Sequence, residues 1–353
     1  MYTLRYQSLH CICGDLRYIV LSCLCLLMMA AWRPVVAAEP VVIKFATLAP
    51  EGSPWMNLMQ EMNDEIERQS QGAVTFRFYA GGVAGDERDV IRKMRIKQLH
   101  GGAFTGFGLG QILPAIRVLE LPMLFRDQAE ADHVIEALFP HFVDAFADKG
   151  QVLLSLNESG AVYLFSKQAL RDLKAIRRAK IWLWQGDTLV QAIFKAFDMR
   201  PVPLTLPDVL PSLQSGIIDA CYGTPLAVLA FQWFTKVPYR SSFPFTRVVG
   251  AFVVSQHQWN ELSSEHQTLV KDMVQTYAAK ASDAIRRYEQ QSLPLLKSTG
   301  MQTVDIPETE INYLRQQSDR LYPQLVGELY DQDLLKRVLE LRAQYRQKPP
   351  PSQ

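Results

Sequence analysis

The amino-acid sequence predicts an α/β fold, because strand-like and helix-like segments alternate along most of the chain. The clearest example is the stretch 180–204. Residues 180–184 are mostly apolar, with aromatic side chains at alternate positions, which is typical of a strand. Apolar residues at helical spacing follow in 188–198, and the prolines of 200–204 favour an extended backbone. This order predicts a strand, a helix and a second strand that build part of a sheet.

The N-terminal part of the chain predicts two more strands and two more helices. Strands are expected at 41–46 and 74–79, where apolar residues predominate or alternate with polar ones. Between them, 55–70 predicts an amphipathic helix. Its apolar face comprises Trp55, Met59, Met62 and Ile66. A glycine-rich segment beginning at Ala80 leads into a second helix, which ends near Leu99.

The next strand is expected at 100–105, and the segment that follows it is rich in glycine. Gly106, Gly108 and Gly110 approximate a dinucleotide-binding loop. The G-x-G-x-x-G spacing is absent, however, and no acidic residue follows at the required distance after a second strand. We therefore expect a flexible loop close to a cleft rather than a nucleotide site.

The remaining chain continues the alternation. Further strands are expected at 151–157, after Gly216, at 247–255 and at 301–305, and further helices at 128–148 and 206–214. The longest helix is expected at 259–290, and at 1.5 Å per residue it would span ~48 Å. A helix of that length could lie across a molecule of two lobes.

The first 38 residues differ from the rest and predict a secretory signal peptide. Arg5 and Arg17 precede an apolar run at 18–32, and Ala37 and Ala38 precede Glu39. An uncleaved N-terminal anchor and a lipoprotein attached through Cys23 are the alternatives. Four of the five cysteines lie in this segment, so their spacing is not interpreted as a metal or redox motif.

Composition and motifs argue against several function classes. The chain is 48% hydrophobic and 21% charged with a net charge of +1, which gives no reason to expect nucleic-acid binding. No nucleophile elbow, H-E-x-x-H pair or Cys/His ligand spacing is present. Cys221 lacks a basic neighbour and is expected to be a small buried residue. We therefore expect no enzymatic activity, no metal and no cofactor.

Several short sequence motifs, and the order in which they occur, resemble the DctP-type solute-binding component of TRAP transporters. These components are periplasmic proteins. The motifs are Asp172-Leu173-Lys174, Lys180-Ile181, Pro201-Val202-Pro203 and Leu213-Gln214-Ser215-Gly216-Ile217-Ile218-Asp219. The glycine-rich segment 80–88 and the segment 119–127 are also similar to the family. The resemblance covers the whole chain after the signal peptide.

The resemblance implies a two-lobed periplasmic solute-binding protein fold. Each lobe would have a central sheet flanked by helices, and a long helix would span both lobes. Residues 39–159 and 248–287 would form the first lobe, and 160–247 and 288–342 the second. Residues 343–353 are expected to be a disordered tail.

The resemblance also implies where a ligand would bind. Family members carry an arginine after Lys-Ile that forms a forked ion pair with a ligand carboxylate, and Trp182 stands there in this chain. A second family arginine corresponds to Val162, and an asparagine to Gly223 or Thr224. The ligand is therefore expected to be less acidic or more hydrophobic. The candidate ligand-binding residues are Trp55, Glu87, Phe104, Phe107, Val162, Trp182, Trp184, Tyr222, Gly223 and Thr224, and Arg88 and Arg126 are further candidates for polar contacts.

Two functions follow from this interpretation. The first is capture of a small-molecule ligand and its delivery to two integral membrane permease subunits of the DctQ/DctM type, with an accessory periplasmic protein as a further candidate partner. The second is a periplasmic sensor or interaction protein that uses the same fold without transport.

Overall fold

The computed structural model describes residues 39–347, apart from the side chain of Glu289. Ten strands form one mixed sheet that is flanked by helices, which confirms the predicted α/β class. The strands are β1 (Val41–Ala46), β2 (Val74–Tyr79), β3 (Gly101–Thr105), β4 (Gln151–Ser166), β5 (Lys180–Trp184), β6 (Arg200–Leu204), β7 (Ala220–Gly223), β8 (Tyr239–Ser241), β9 (Thr246–Ser255) and β10 (Gln302–Val304).

The helices lie between these strands and after the last of them. They are α1 (Pro54–Gln69), α2 (Glu87–Arg95), α3 (Gly106–Ile112), α4 (Gln128–Ala147), α5 (Leu173–Arg178), α6 (Thr188–Ala196), α7 (Val209–Ser215), α8 (Pro225–Ala230), α9 (Gln256–Trp259), α10 (Ser264–Ser298), α11 (Glu308–Leu321) and α12 (Gln332–Gln347). Short 3-10 helices lie at Pro114–Glu120, Leu206–Asp208, Trp233–Thr235 and Tyr322–Leu325.

The sheet has two halves that share β4. Its main path runs β2-β1-β3-β9-β4-β7-β5-β6, and β8 pairs with β4 and β10. In one half β1 is parallel to β2 and β3, and in the other β5 is parallel to β6 and β7. Because parallel strands end at the same edge of a sheet, each half presents a set of carboxyl ends where loops can build a site.

Strand β4 is longer than the predicted segment 151–157. Its first part pairs antiparallel with β9, and 163–166 pairs antiparallel with β7. The pairing with β9 changes register twice, the second time between Glu158 and Ala161, where Gly160 has φ of +118°. Such irregularities bend a strand, which allows one strand to serve both halves of the sheet.

The segment expected to be a flexible glycine-rich loop is helix α3, so that expectation is wrong. Three of its glycines lie against buried charged side chains. A Cβ atom on Gly106 would overlap the Glu120 carboxyl group, one on Gly108 would lie 2.5 Å from Glu87 Oε2, and one on Gly110 would lie 2.9 Å from Arg117 Cδ. Tertiary contacts thus override the weak helix propensity of glycine.

The long helix is displaced from its predicted position of 259–290. A short helix, α9, comes first, and α10 then begins after Ser263, whose hydroxyl accepts a hydrogen bond from the His266 amide at 3.2 Å. Its 35 residues correspond to ~52 Å. It packs against α1, β4 and α8, so it contacts both halves of the sheet. None of the helices in 39–347 is both long and apolar enough to cross a bilayer.

The disordered tail predicted for 343–353 is wrong for its first five residues. Residues 343–347, assigned to a disordered tail, belong to α12. Arg346 Nη2 donates to Glu130 Oε2 of α4 at 3.2 Å, and Arg342 Nη1 donates to the Leu124 carbonyl at 3.4 Å. These contacts hold the last turns of α12 against the fold. The predicted signal peptide, 1–38, and the rest of the tail, 348–353, lie outside the described residues.

Glu87 is buried and joins α2 to β3 and α3. Its Oε1 accepts a hydrogen bond from the Thr105 amide at 2.7 Å, and its Oε2 accepts one from the Gly108 amide at 2.7 Å and one from the Thr105 hydroxyl at 2.9 Å. Burial raises the pKa of Glu87 to about 8, although these hydrogen bonds oppose the shift. The carboxyl group is therefore a structural connection that is sensitive to pH.

We expect Gly106→Ala to destabilise the protein, because the new methyl group overlaps the buried Glu120 carboxyl group. Overpacking of this kind typically costs about 1–3 kcal/mol in the free energy of unfolding. Gly223→Ala is a matched control, since a Cβ there meets its nearest neighbour, a Trp233 ring atom, at an ordinary 3.5 Å. Urea denaturation of both variants checks the prediction. Equal stabilities would show that α3 can move away from Glu120.

We expect the contribution of Glu87 to the stability of the protein to fall as the pH rises from about 4.5 to about 8. In this range the folded protein keeps a proton on Glu87, whose pKa is about 8, whereas the unfolded chain releases it. Glu87→Gln has no proton to release. The difference in free energy of unfolding between variant and wild type should therefore change by about 2–4 kcal/mol in favour of the variant between pH 5 and pH 8.5. Parallel pH profiles from urea denaturation would contradict this assignment.

Candidate functional site

A large cavity of about 790 Å³ lies where the carboxyl ends of the parallel strands meet. Its wall includes residues close to the carboxyl ends of β1, β3, β5 and β7, together with side chains from α1, α8 and α10. Thr47 follows β1, Asp187 follows β5 and Thr224 follows β7. This is the position at which open α/β sheets bind ligands.

Aromatic rings form one wall of the cavity. The Trp182 and Tyr222 rings are stacked with centroids 4.8 Å apart, and the Phe107 and Trp184 rings are stacked at 4.6 Å. Trp182 also lies 5.6 Å from Trp184 and meets Trp233 edge-on at 5.4 Å. Alternation along β5 places the two tryptophans on the same face of the strand. The result is a continuous aromatic surface.

The polar atoms of the two tryptophans are already paired. Trp182 Nε1 donates to the Leu204 carbonyl at 3.0 Å, and Trp184 Nε1 donates to Asp86 Oδ2 at 2.9 Å. The Tyr222 hydroxyl oxygen accepts a hydrogen bond from the Trp184 amide at 3.2 Å. Such pairing fixes the rings, and what these tryptophans offer to a ligand is mainly apolar surface.

A buried charge cluster forms another part of the wall. Arg117, in the 3-10 helix before β4, has Nη2 at 3.1 Å from Asp187 Oδ2 and Nε at 3.2 Å from Glu120 Oε2. The side chain of Arg117 is 6% exposed and those of Asp187 and Glu120 are 5% and 4% exposed. Since buried ions are tolerated only when they are paired, the three groups act as one unit.

Backbone amides hold the other carboxylate oxygens of this cluster. Asp187 Oδ1 accepts a hydrogen bond from the Val190 amide at 3.1 Å, and Glu120 Oε1 accepts one from the Val249 amide at 2.8 Å. Burial alone would lower the pKa of Arg117, but the neighbouring carboxylates outweigh it and raise that pKa. Burial raises the pKa of Glu120, against the opposing effect of Arg117. The cluster therefore keeps Arg117 charged and compensates it internally.

The wall contains a buried hydroxyl group that has no hydrogen-bond partner among the described residues. Ser282 of α10 lines the cavity and is buried, and its Oγ makes no hydrogen bond with any described residue. A hydroxyl group can both donate and accept, so Ser282 can bind a polar atom of a ligand. Ser155, Asn157 and Thr246 add further polar atoms to a wall that is otherwise mostly apolar.

The structure brings together all but one of the candidate ligand-binding residues. Those that line the cavity are Trp55, Phe104, Phe107, Val162, Trp182, Trp184, Tyr222, Gly223 and Thr224. Glu87 does not line it, because its carboxyl group is directed to Thr105 and Gly108. Whether the lining residues contact a ligand remains a prediction.

The two further arginine candidates also lie outside the cavity. Arg88 Nη1 donates to the Gln185 carbonyl at 3.4 Å. Arg126 has a side chain that is 55% exposed and lies 3.6 Å from Glu130. Neither is placed to compensate a charge inside the cavity.

Sequence analysis missed the charge cluster as part of the site. Asp187, Arg117 and Glu120 were not among the candidate ligand-binding residues, and the structure shows Asp187 as the N-cap of α6. A signal was present for Arg117 and Glu120, since these two charged residues lie three apart in the mostly apolar stretch 112–125. Charged residues in such a stretch are seldom buried without partners.

Other kinds of site find no support in the described part of the chain. Residues 39–347 contain no group of three or more His, Cys, Asp or Glu side chains that could hold a metal ion. Cys221 is buried, and burial raises the pKa of its thiol, which keeps it protonated.

A family model places most of the chain in one family. The DctP model, described as bacterial extracellular solute-binding protein, family 7, matches residues 45–328. A solute-binding protein of Chromohalobacter salexigens is 24% identical over 238 residues, which are 67% of this chain and 70% of the relative. The ectoine/5-hydroxyectoine-binding periplasmic protein UehA of Ruegeria pomeroyi is 21% identical over 276 residues, which are 76% of this chain and 78% of the relative.

Solved structures share the fold. A TRAP periplasmic solute-binding protein of Xanthobacter autotrophicus with bound β-D-galacturonate is 21% identical, with a TM-score of 0.78, and the match covers 85% of this chain and 99% of that one. The sugar acid binding protein of Advenella mimigardefordensis in complex with galactonate is 16% identical, with a TM-score of 0.81, and the match covers 87% and 99%. This chain therefore belongs to the DctP family of bacterial extracellular solute-binding proteins and has the fold of TRAP solute-binding proteins.

Proposed function

We propose that this protein is the solute-binding subunit of a TRAP transporter, and that it captures an uncharged or hydrophobic small molecule. Family membership supports the transport role. The observation that carries the ligand class is the wall itself: Trp182 and Val162 stand where a carboxylate-binding cation is expected, and both are buried in an apolar surface. A carboxylate placed there without a cation would be costly to desolvate.

The ligands of the similar solved structures differ from the one proposed here. The proteins from Xanthobacter and Advenella were solved with the acidic sugars galacturonate and galactonate. At these low identities the likeness concerns the fold and leaves the ligand of this protein open. A cavity of about 790 Å³ with stacked tryptophans is suited to a ligand with substantial apolar surface.

The ligand would be held between two lobes, with 39–159 and 248–287 in the first and 160–247 and 288–342 in the second. Contacts between these segments support a closed arrangement, since Asp86 binds the Trp184 indole and Arg117 binds Asp187. Strands β4 and β9 run through both segments, so a bend within them would open the cleft. A ligand that contacts both lobes would favour the closed population.

The proposed partners follow from the transport role. The protein would be exported to the periplasm by residues 1–38 and would deliver its ligand to two membrane permease subunits of the DctQ/DctM type. An accessory periplasmic protein would receive or supply a poorly soluble ligand. Loss of uptake of the identified ligand in cells that lack this protein, and its recovery on re-expression, would test the delivery step.

We expect native mass spectrometry of protein purified from the periplasm to reveal a bound uncharged or hydrophobic molecule. Trp182→Ala should lower the retained fraction at least tenfold, because it removes a ring that packs on Tyr222 and Trp233 and so disrupts the aromatic wall. Trp182→Phe should keep most of the ligand, since it preserves a ring beside Tyr222.

Trp259→Ala is the matched control, because Trp259 is also buried but lies outside the cavity wall. It should lose stability and keep the ligand. A small dicarboxylate or sugar acid that co-purifies with the wild type would overturn the proposed ligand class while leaving the binding role in place.

A further inference from the structure

Arg117 is the only arginine or lysine among the described residues that line the cavity. It is therefore the one cation in that part of the wall that could receive a ligand carboxylate. Its Nη2 donates a hydrogen bond to Asp187 Oδ2 at 3.1 Å, whereas Nε lies 3.2 Å from Glu120 Oε2 as an ion pair without an aligned hydrogen bond. The cluster contains one guanidinium group and two carboxyl groups, so it has no unused positive charge.

We propose that Asp187 is a specificity-determining residue, a built-in counter-ion that occupies the place on Arg117 which an acidic ligand would need. The inference deepens the proposed function and rests on it, because it concerns the charge of the same ligand. Exclusion of acids would then have a cause beyond the absence of arginine at Trp182 and Val162.

The position of Asp187 makes it an effective counter-ion. It is the N-cap of α6, and its Oδ1 is held by the Val190 amide at 3.1 Å, which directs Oδ2 toward Arg117. A ligand carboxylate would have to displace this oxygen or enter the cavity as a third carboxyl group beside a single guanidinium group. Either route leaves a buried carboxylate without a full partner, which is strongly unfavourable.

Removal of Asp187 should therefore create a carboxylate site. Asp187→Ser keeps a side chain that caps helices well but carries no charge. The vacated space lies within reach of Arg117 Nη2, and a ligand carboxylate placed there would restore the original set of one guanidinium group and two carboxyl groups. The variant should bind acids that the wild-type protein excludes.

Hexanoate and hexanamide are suitable probes, because they differ in charge and share an apolar chain. By isothermal titration calorimetry, the wild-type protein should bind hexanamide at least tenfold more tightly than hexanoate. Asp187→Ser should bind hexanoate at least tenfold more tightly than the wild type does, as expected for a hydrogen bond to a charged group. The double variant Asp187→Ser with Arg117→Met should lose this gain.

Asp86→Ser is the matched control. Asp86 also caps a helix, is also buried, and joins the same two segments through the Trp184 indole at 2.9 Å, but it is not paired with Arg117. This variant should not acquire a preference for hexanoate over hexanamide. Thermal melts and circular dichroism confirm folding of each variant, and Asp187→Asn replaces the serine variant if that one does not fold.

The outcomes separate the two proposals. Wild-type protein that binds hexanoate as tightly as hexanamide, or a folded Asp187 variant that gains no affinity for hexanoate, would overturn the role of Asp187. Neither result would affect the binding role of the protein. The proposed function would instead be overturned if the wild-type protein carried no co-purified ligand and bound neither probe. Even then, a gain of hexanoate binding in the Asp187 variant would support the role of Asp187 as the counter-ion of Arg117.

Discussion

Pairing of the buried Arg117 is the constraint on which the site depends. A guanidinium group with 6% side-chain exposure must have anionic partners, and Glu120 and Asp187 provide them. The partners are held in turn by amides of β9 and α6, so the cluster joins a 3-10 helix to both halves of the sheet. The glycines of α3 allow the close approach, because Gly106 has no Cβ to displace Glu120. The cluster therefore connects several of the elements that surround the cavity.

The same constraint determines what the cavity offers a ligand. Charge is present in the wall, but it is compensated internally, and the adjacent aromatic surface has its tryptophan N–H groups paired with Leu204 and Asp86. The cavity wall therefore presents mostly apolar groups and a small number of polar atoms such as Ser282 Oγ. Affinity in such a cavity depends mainly on buried apolar area, which favours molecules that lose little on leaving water.

Most strands and helices could be predicted from the sequence because their patterns are local. The alternating aromatic residues of β5 and the apolar face of α1 each result from burial of one side of the element. Helix α3 could not be predicted this way, since its glycines are explained by contacts with Glu87, Arg117 and Glu120 rather than by local propensity. The full length of β4 was missed for a related reason: its irregular register with β9 depends on the partner strand.

Some residues of the candidate site could likewise be predicted from the sequence, and others could not. Trp182 and Thr224 were predicted because the resemblance to the family aligns them with its ligand-binding arginine and asparagine. Arg117 and Asp187 are 70 positions apart in the chain, and no local pattern joins them. The residues that determine the charge of the cavity wall are therefore different from the residues that stand at the family's ligand-binding positions. Trp182 and Val162 explain why two cations are absent, whereas only the pairing of Arg117 explains why the remaining cation is not available. With the role proposed for Asp187, the ligand charge that this cavity accepts depends on the whole wall, and a prediction from single substituted positions covers only part of it.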